Sequence, residues 1–154
     1  RHLDKYAVRM GGGENHRFGL FDMALIKDNH IAIAGGIVGA VEKAMARLGE
    51  SHEQIRIEVE CKSYDEVMEA IRIPVDIIML DNMDIVEIRR SVEAAKKAAV
   101  ETGKKIYLEA SGNITLRNVR DVAETGVDFI SIGALTHSVI CHDFSLLFGN
   151  CEPS

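Results

Sequence analysis

The stretch MALIKDNHIAI (residues 23–33) sets the pattern that the rest of the chain repeats. Four apolar residues, Met23 to Ile26, run directly into Lys27, Asp28, Asn29 and His30. A core strand ending in a dense polar cluster is how an α/β protein presents chemistry at the carboxyl edge of its sheet. The same layout returns in IRIEVECK (55–62), DIIMLDN (76–82) and KIYLEASGN (105–113), and DFISIGALTH (128–137) ends in glycine and histidine instead. Repetition of this kind predicts one site assembled from strand ends.

Upstream of that stretch, Arg1–Met10 is open to two readings: weak alternation at Tyr6, Val8 and Met10, or a short helix over Leu3–Val8. Gly11, Gly12 and Gly13 end either one, because consecutive glycines turn easily and are expensive to order. A polar loop follows, with Asn15, His16 and Arg17 at its centre. Downstream, apolar residues at 37, 41, 44, 45 and 48 recur at helical spacing, and Gly49 closes that helix. In the strand Ile55–Cys61, Ile55, Ile57, Val59 and Cys61 face one way and Arg56, Glu58 and Glu60 the other. An acidic row on one face of a barrel strand calls for a reason. Tyr64–Ile71 reads as a short helix capped by Ser63 or Asp65. The almost wholly apolar Val75–Leu80 is a parallel strand covered on both faces. Ile85–Val100 is the clearest helix, stopped by Gly103. Strand Ile106–Glu109, helix Thr115–Glu124 through Leu116, and strand Phe129–Ile132 complete the pattern, and the apolar tail Phe144–Phe148 is expected to close against the sheet as a short helix.

The order is β-α-β-α-β-α-β-α-β with right-handed crossovers. Five strands fall short of the eight in a complete barrel, which needs about 250 residues. No GxGxxG follows a first strand, which argues against a dinucleotide fold or a P-loop. The fold class is therefore α/β, an incomplete (β/α) barrel of parallel strands. A net charge of −6 over 154 residues, with no basic block, argues against broad nucleic-acid binding. No apolar run approaches the roughly 18 residues of a membrane span. Cys61, Cys141 and Cys151 lack metal-like spacing and read as reduced thiols of a cytoplasmic protein.

The candidate site follows from residue types at strand ends. Lys27, mounted at the end of a strand, can reach a phosphate or carboxylate as a point charge. His16 and Arg17 add a donor and a planar fork, so the three together make a cationic patch suited to an anionic small molecule. Asn29 and His30 are assigned structural roles, in ordering the turn and in a packed ring with one buried hydrogen bond. Glu60 and Asp81 end neighbouring strands and can bind Mg²⁺ through oxygen or stabilise a developing cation, with Glu58 behind them as an ion-pair partner. Ser111, Gly112 and Asn113, and then Gly133 through His137, form successive backbone turns opening into helices, which is the usual phosphate grip of β/α barrels.

At this point the stretches YAVRMGGGENHRFGLFDMALIKDNHI (6–31), VDIIMLDNMD (75–84), LEASGNITLRNV (108–119) and DFISIGALTHS (128–138) closely resemble the quinolinate phosphoribosyltransferases, the decarboxylating nicotinate-nucleotide pyrophosphorylases. The resemblance covers nearly the whole chain. It implies the barrel domain of a type II phosphoribosyltransferase, a homodimer or higher homo-oligomer. It also implies transfer of phosphoribosyl from 5-phosphoribosyl 1-pyrophosphate to quinolinate, with Mg²⁺, giving nicotinate mononucleotide, pyrophosphate and CO₂. By matching motif, it assigns His16 and Arg17 to the quinolinate carboxylates and Lys27 to substrate contact. Glu60 and Asp81 go to the ribose hydroxyls and metal; Ser111, Gly112, Asn113, Gly133 and His137 go to phosphate. Asn113 stands where many members have a second glycine; asparagine also tolerates the left-handed conformation. The family's N-terminal α/β sandwich domain and a first barrel strand with arginine and lysine have no counterpart here, so the chain is expected to be the barrel domain alone. The alternatives are a relative acting on another pyridine or base, and a non-catalytic phosphate-ligand binding domain.

Overall fold

The computed structural model describes residues 1–19, 21–49 and 54–149. Cys151 lies outside them; Cys61 and Cys141 are free thiols, and burial pushes that of Cys61 up to about 12. Five strands, β1 (Met23–Ile26), β2 (Arg56–Cys61), β3 (Ile77–Asp81), β4 (Tyr107–Ser111) and β5 (Phe129–Ser131), pair in sequence order, every pair parallel. Helices α1 (His2–Met10), α2 (Asp28–Ala34), α3 (Ile37–Leu48), α4 (Tyr64–Ala70), α5 (Ile85–Thr102), α6 (Val119–Ala123) and α7 (Ala134–His137) surround and connect them. Consecutive parallel strands, each returned by a helix, are the architecture expected of part of a (β/α) barrel.

One face of the sheet is dry. Ile57, Val59, Ile78, Leu80, Leu108 and Ala110 pack with α3, α4 and α5 residues into one buried cluster. The opposite face is mixed, and the register shows how. Glu60, Met79, Glu109 and Phe129 share one row across β2 to β5; Leu25, Glu58, Ile77 and Tyr107 share the next row down; Asp81, Ser111 and Ser131 share the row above, at the strand ends. The acidic alternation of β2 thus lies on the interior face, with Glu58 and Glu60 both buried.

Local signals explain most boundaries. The Ser63 hydroxyl accepts from the Glu66 N–H at the start of α4, and the Asp84 carboxylate does the same from Glu87 for α5. Gly103 ends α5 in the left-handed conformation. The first ten residues resolve to the helical reading.

Three expectations are corrected. Residues 28–34 form a helix where a turn is expected, with Gly35 and Gly36, both at positive φ, ending it. The helix expected from Thr115 begins only at Val119, because the Asn118 side-chain oxygen accepts from the Thr115 N–H and hydroxyl and holds an open turn; Leu116 is 98% exposed. The tail Phe144–Phe148 is neither helical nor packed, with Phe148 95% exposed, since a segment this short does not hold a helix without a face to bury.

Candidate active site

The loop before β1 is pinned from outside and plugged from within. Lys5 of α1 donates from Nζ to the carbonyls of His16 and Arg17, both at 3.0 Å, and Asn15 donates its side-chain amide to the Lys5 carbonyl at 2.9 Å. So held, His16 turns into the barrel and meets two buried carboxylates. Its Nε2 lies 3.0 Å from Glu58 and 3.7 Å from Glu109. Its hydrogen bond to Glu58, against the opposing effect of burial, and the negative charges of Glu58 and Glu109 raise the His16 pKa above the ordinary histidine value. Burial, then the charge of Glu58, raises that of Glu109, and Ser131 donates to Glu109 at 2.6 Å. Glu58 Oε1 is buried with no partner among the described residues.

Neither Glu109 nor Ser131 stands among the expected site residues. The signal was present in KIYLEASGN: Glu109 interrupts an apolar strand, and alternation sets it apart from Leu108 and Ala110, on the face of Ser111. Glu58 is an ion-pair partner, as expected, and its partner is His16.

Arg17 does not present a free fork beside His16: its Nη1 donates to the Met23 carbonyl at 3.2 Å. Lys27 directly follows β1 and makes no hydrogen bond to either of them among the described residues; its side chain is exposed. Its charge acts instead on Glu60 and Asp28. The expected patch of three cations is therefore spread, with His16 inside, Arg17 on the backbone and Lys27 at the rim. His30 is exposed rather than packed; its Nδ1 accepts from the Lys27 N–H at 2.9 Å and so caps α2. Asn29 donates its backbone N–H to the Asp28 carboxylate.

Glu60 is buried and makes no hydrogen bond among the described residues. Burial first, then the negative charge of Asp81, raises its pKa above the ordinary carboxylate value. Lys62, one possible counter-charge for it, pairs instead with Asp28 at 2.7 Å. Two carboxylates that repel one another, one of them buried, form a donor set that a hard divalent cation would relieve.

The loops after β4 and β5 are neighbours because their strands pair. Gly112 and Asn113 both have positive φ, 94° and 52°. The backbone N–H groups of Gly112, Asn113 and Ile114 donate to no described residue, and neither do those of Gly133 and Ala134. Unspent N–H groups at a turn are the material of an anion nest. Asn113 donates its amide to Asn82 at 2.8 Å, and Asn82 donates to Asp81 at 3.0 Å, tying the turn to Asp81. Gly112 makes room for that link: a Cβ there would overlap the Asn82 side-chain amide. Gly112→Ala is accordingly expected to cost about 1–3 kcal/mol from left-handed strain alone and to weaken phosphate binding; an unchanged unfolding midpoint and phosphate affinity would count against it. His137 folds back over Gly133, where a Cβ would stand 2.9 Å from Nε2, and its Nδ1 contacts the Ser138 hydroxyl. A cleft of about 370 Å³ opens between α1, the His16 loop and the β5 loop, lined by His16, Ser131 and Gly133.

The sequence profile described as "Quinolinate phosphoribosyl transferase, C-terminal domain" matches residues 1–147. A chloroplastic nicotinate-nucleotide pyrophosphorylase [carboxylating] from Arabidopsis thaliana is 46% identical over 154 residues, covering 95% of this chain and 44% of its own length. A probable nicotinate-nucleotide pyrophosphorylase [carboxylating] from Bacillus subtilis is 44% identical, covering 95% of this chain and 47% of its own. The solved nicotinate-nucleotide pyrophosphorylase from Francisella tularensis superposes with a TM-score of 0.74 at 48% identity, over 85% of this chain and 43% of that one. The chain thus spans less than half the length of these relatives. With its parallel sheet, its acidic interior rows and its paired glycine loops, the chain belongs to the quinolinate phosphoribosyltransferase family and matches that family's C-terminal domain.

Proposed function

We propose that this chain supplies the barrel of an enzyme that transfers phosphoribosyl from 5-phosphoribosyl 1-pyrophosphate to quinolinate, with loss of CO₂, to give nicotinate mononucleotide and pyrophosphate. The observation that carries the reading is the division of labour along the strand ends. Carboxylates (Glu60, Asp81) stand on the middle strands; unspent backbone N–H groups follow β4 and β5; His16 and Lys27 come from the first strand and the loop before it.

In this reading the loops at Ser111–Asn113 and Gly133–His137 grip the ribose phosphate. Glu60 and Asp81 lie near the ribose hydroxyls and would hold Mg²⁺; the ion, when bound, neutralises the leaving pyrophosphate. As the bond at the anomeric carbon breaks, positive charge grows on the ribose, and fixed carboxylates stabilise it without reorganising. Arg17, His16 and Lys27 receive the carboxylates of quinolinate; for Arg17 this uses the guanidinium nitrogens not committed to Met23. A homodimer or higher homo-oligomer and a cytoplasmic location belong to the same proposal. The exposed apolar face of α1, with Leu3, Tyr6 and Met10, supports association, and the free thiols of Cys61 and Cys141 suit a reducing compartment. Among the described residues no helix is long and apolar enough to cross a membrane.

The deciding experiment uses the full-length protein with quinolinate labelled at the carboxyl beside the ring nitrogen. Labelled CO₂ released in step with nicotinate mononucleotide is the expected result. Turnover of nicotinate without CO₂ would replace quinolinate with another acceptor. Binding of 5-phosphoribosyl 1-pyrophosphate without turnover of either would reduce the protein to a phosphate-ligand binder.

A further inference from the structure

We propose that Glu58, backed by Glu109, is a positioning residue for His16: by accepting the hydrogen bond from Nε2–H it leaves Nδ1 as the only ring nitrogen able to meet a substrate carboxylate. The inference rests on the reading above, in which His16 receives a carboxylate of the acceptor.

With the Glu58 carboxylate as acceptor, the 3.0 Å contact is a bond donated by Nε2–H, and this is the assignment on which the proposal stands. Nδ1 has no partner among the described residues, and the His16 side chain is 31% exposed, so one edge of the ring is buried on Glu58 while the residue lines the cleft toward Gly133. With Nε2 committed, a neutral ring would show a lone pair at Nδ1 and repel a carboxylate. Only the imidazolium has a second N–H to offer. The groups around the ring favour that form. Glu58 from β2 and Glu109 from β4 are both negative neighbours, while Arg17 opposes them and Lys5 is spent on the loop carbonyls.

The burial of Glu58 points the same way. The residue is 0% exposed, its Oε2 is held by His16, and its Oε1 has no described partner. A carboxylate so placed has His16 as its one ion-pair partner among the described residues, so the pair holds the ring as firmly as the ring holds the carboxylate. Glu109, fixed by Ser131, stands 3.7 Å from the same nitrogen and limits rotation of the ring away from Glu58.

The test uses the full-length protein with Glu58→Gln and Glu58→Met, read by ¹⁵N spectra of the histidine rings and by steady-state kinetics. In the wild type the His16 ring is expected to carry protons on both nitrogens, with Nε2–H held by Glu58. Glu58→Met should release it into mixed tautomers and raise KM for quinolinate about tenfold or more, the scale of a lost hydrogen bond to a charged group. KM for 5-phosphoribosyl 1-pyrophosphate should stay within about twofold, and Glu58→Gln, whose amide oxygen still accepts, should fall between. Unchanged KM for quinolinate in both variants, or a parallel rise for both substrates, would overturn the proposal. So would Mn²⁺ that broadens the His16 signals of the wild type and not those of Glu58→Gln, because the three side chains would then be a metal site. Should the wild type fail to turn over quinolinate, the parent reading falls by itself. The spectra still decide this one: an unaltered His16 ring in Glu58→Met refutes positioning.

Discussion

Lys27→Ala is expected to lower kcat/KM for quinolinate about 10²-fold in the full-length enzyme, the scale on which one preorganised charge acts in a transition state. The geometry makes the substitution a clean one. Lys27 has extended backbone, φ −108° and ψ 169°, which alanine adopts without strain, and its structural contribution to α2 is a backbone N–H donated to His30, which alanine retains. What is lost is an exposed side chain and the ammonium it carries. Its charge stands near Glu60 and there opposes the effect of burial and of Asp81, so its removal also leaves the acidic pair less compensated. Steady-state kinetics with each substrate varied in turn is the measurement. An unchanged kcat/KM would remove Lys27 from the site, whereas equal losses toward both substrates would move its role from the acceptor to the acidic pair.

Leu80→Ala should destabilise the protein by about 2–5 kcal/mol, the range for emptying a packed leucine site. Leu80 is 0% exposed on the helix-facing side of β3, within the cluster built from the strands and from α3, α4 and α5. The central position of β3, paired with β2 and β4, leaves little freedom for the cavity to collapse. Leu80 also immediately precedes Asp81, so relaxation around the cavity would be felt at the acidic row. Thermal unfolding of the full-length variant checks the expectation; a midpoint within a degree of the wild type would contradict it. Ile78→Val, in the same cluster, deletes a single methylene and should cost about 1 kcal/mol.

Much of the fold was legible in the chain because its signals are local. MALI runs into a polar cluster and becomes β1 over the same residues, Met23–Ile26. The apolar face of Ile37–Leu48 and the stop at Gly49 give α3 with the same bounds. Expectation failed where local chemistry competed with periodicity. Leu116 fits a helical face, yet the Asn118 side chain captures the Thr115 N–H first. The tail reads as a helix by hydropathy, but hydropathy alone says nothing about what covers it. Asp28–Ala34 is too short for its periodicity to speak, although the paired Gly35 and Gly36 mark its end.

The candidate site divides along the same line. The sequence by itself determined which residues stand at strand ends, because that follows from alternation and from where apolar runs stop. Lys27, Glu60, Asp81, Ser111 and Gly133 were placed in that way. Only the tertiary structure decided which of them meet. His16 and Glu58 are 42 positions apart in the chain, and their contact depends on how a loop held by Lys5 folds over the sheet. The same folding sends Arg17 to the Met23 carbonyl and brings Glu109, an interior strand residue, to the ring of His16. Strand register and loop anchoring are long-range properties, set by packing between elements rather than by any one of them, and they turn two carboxylates from separate strands into a buried seat for a histidine.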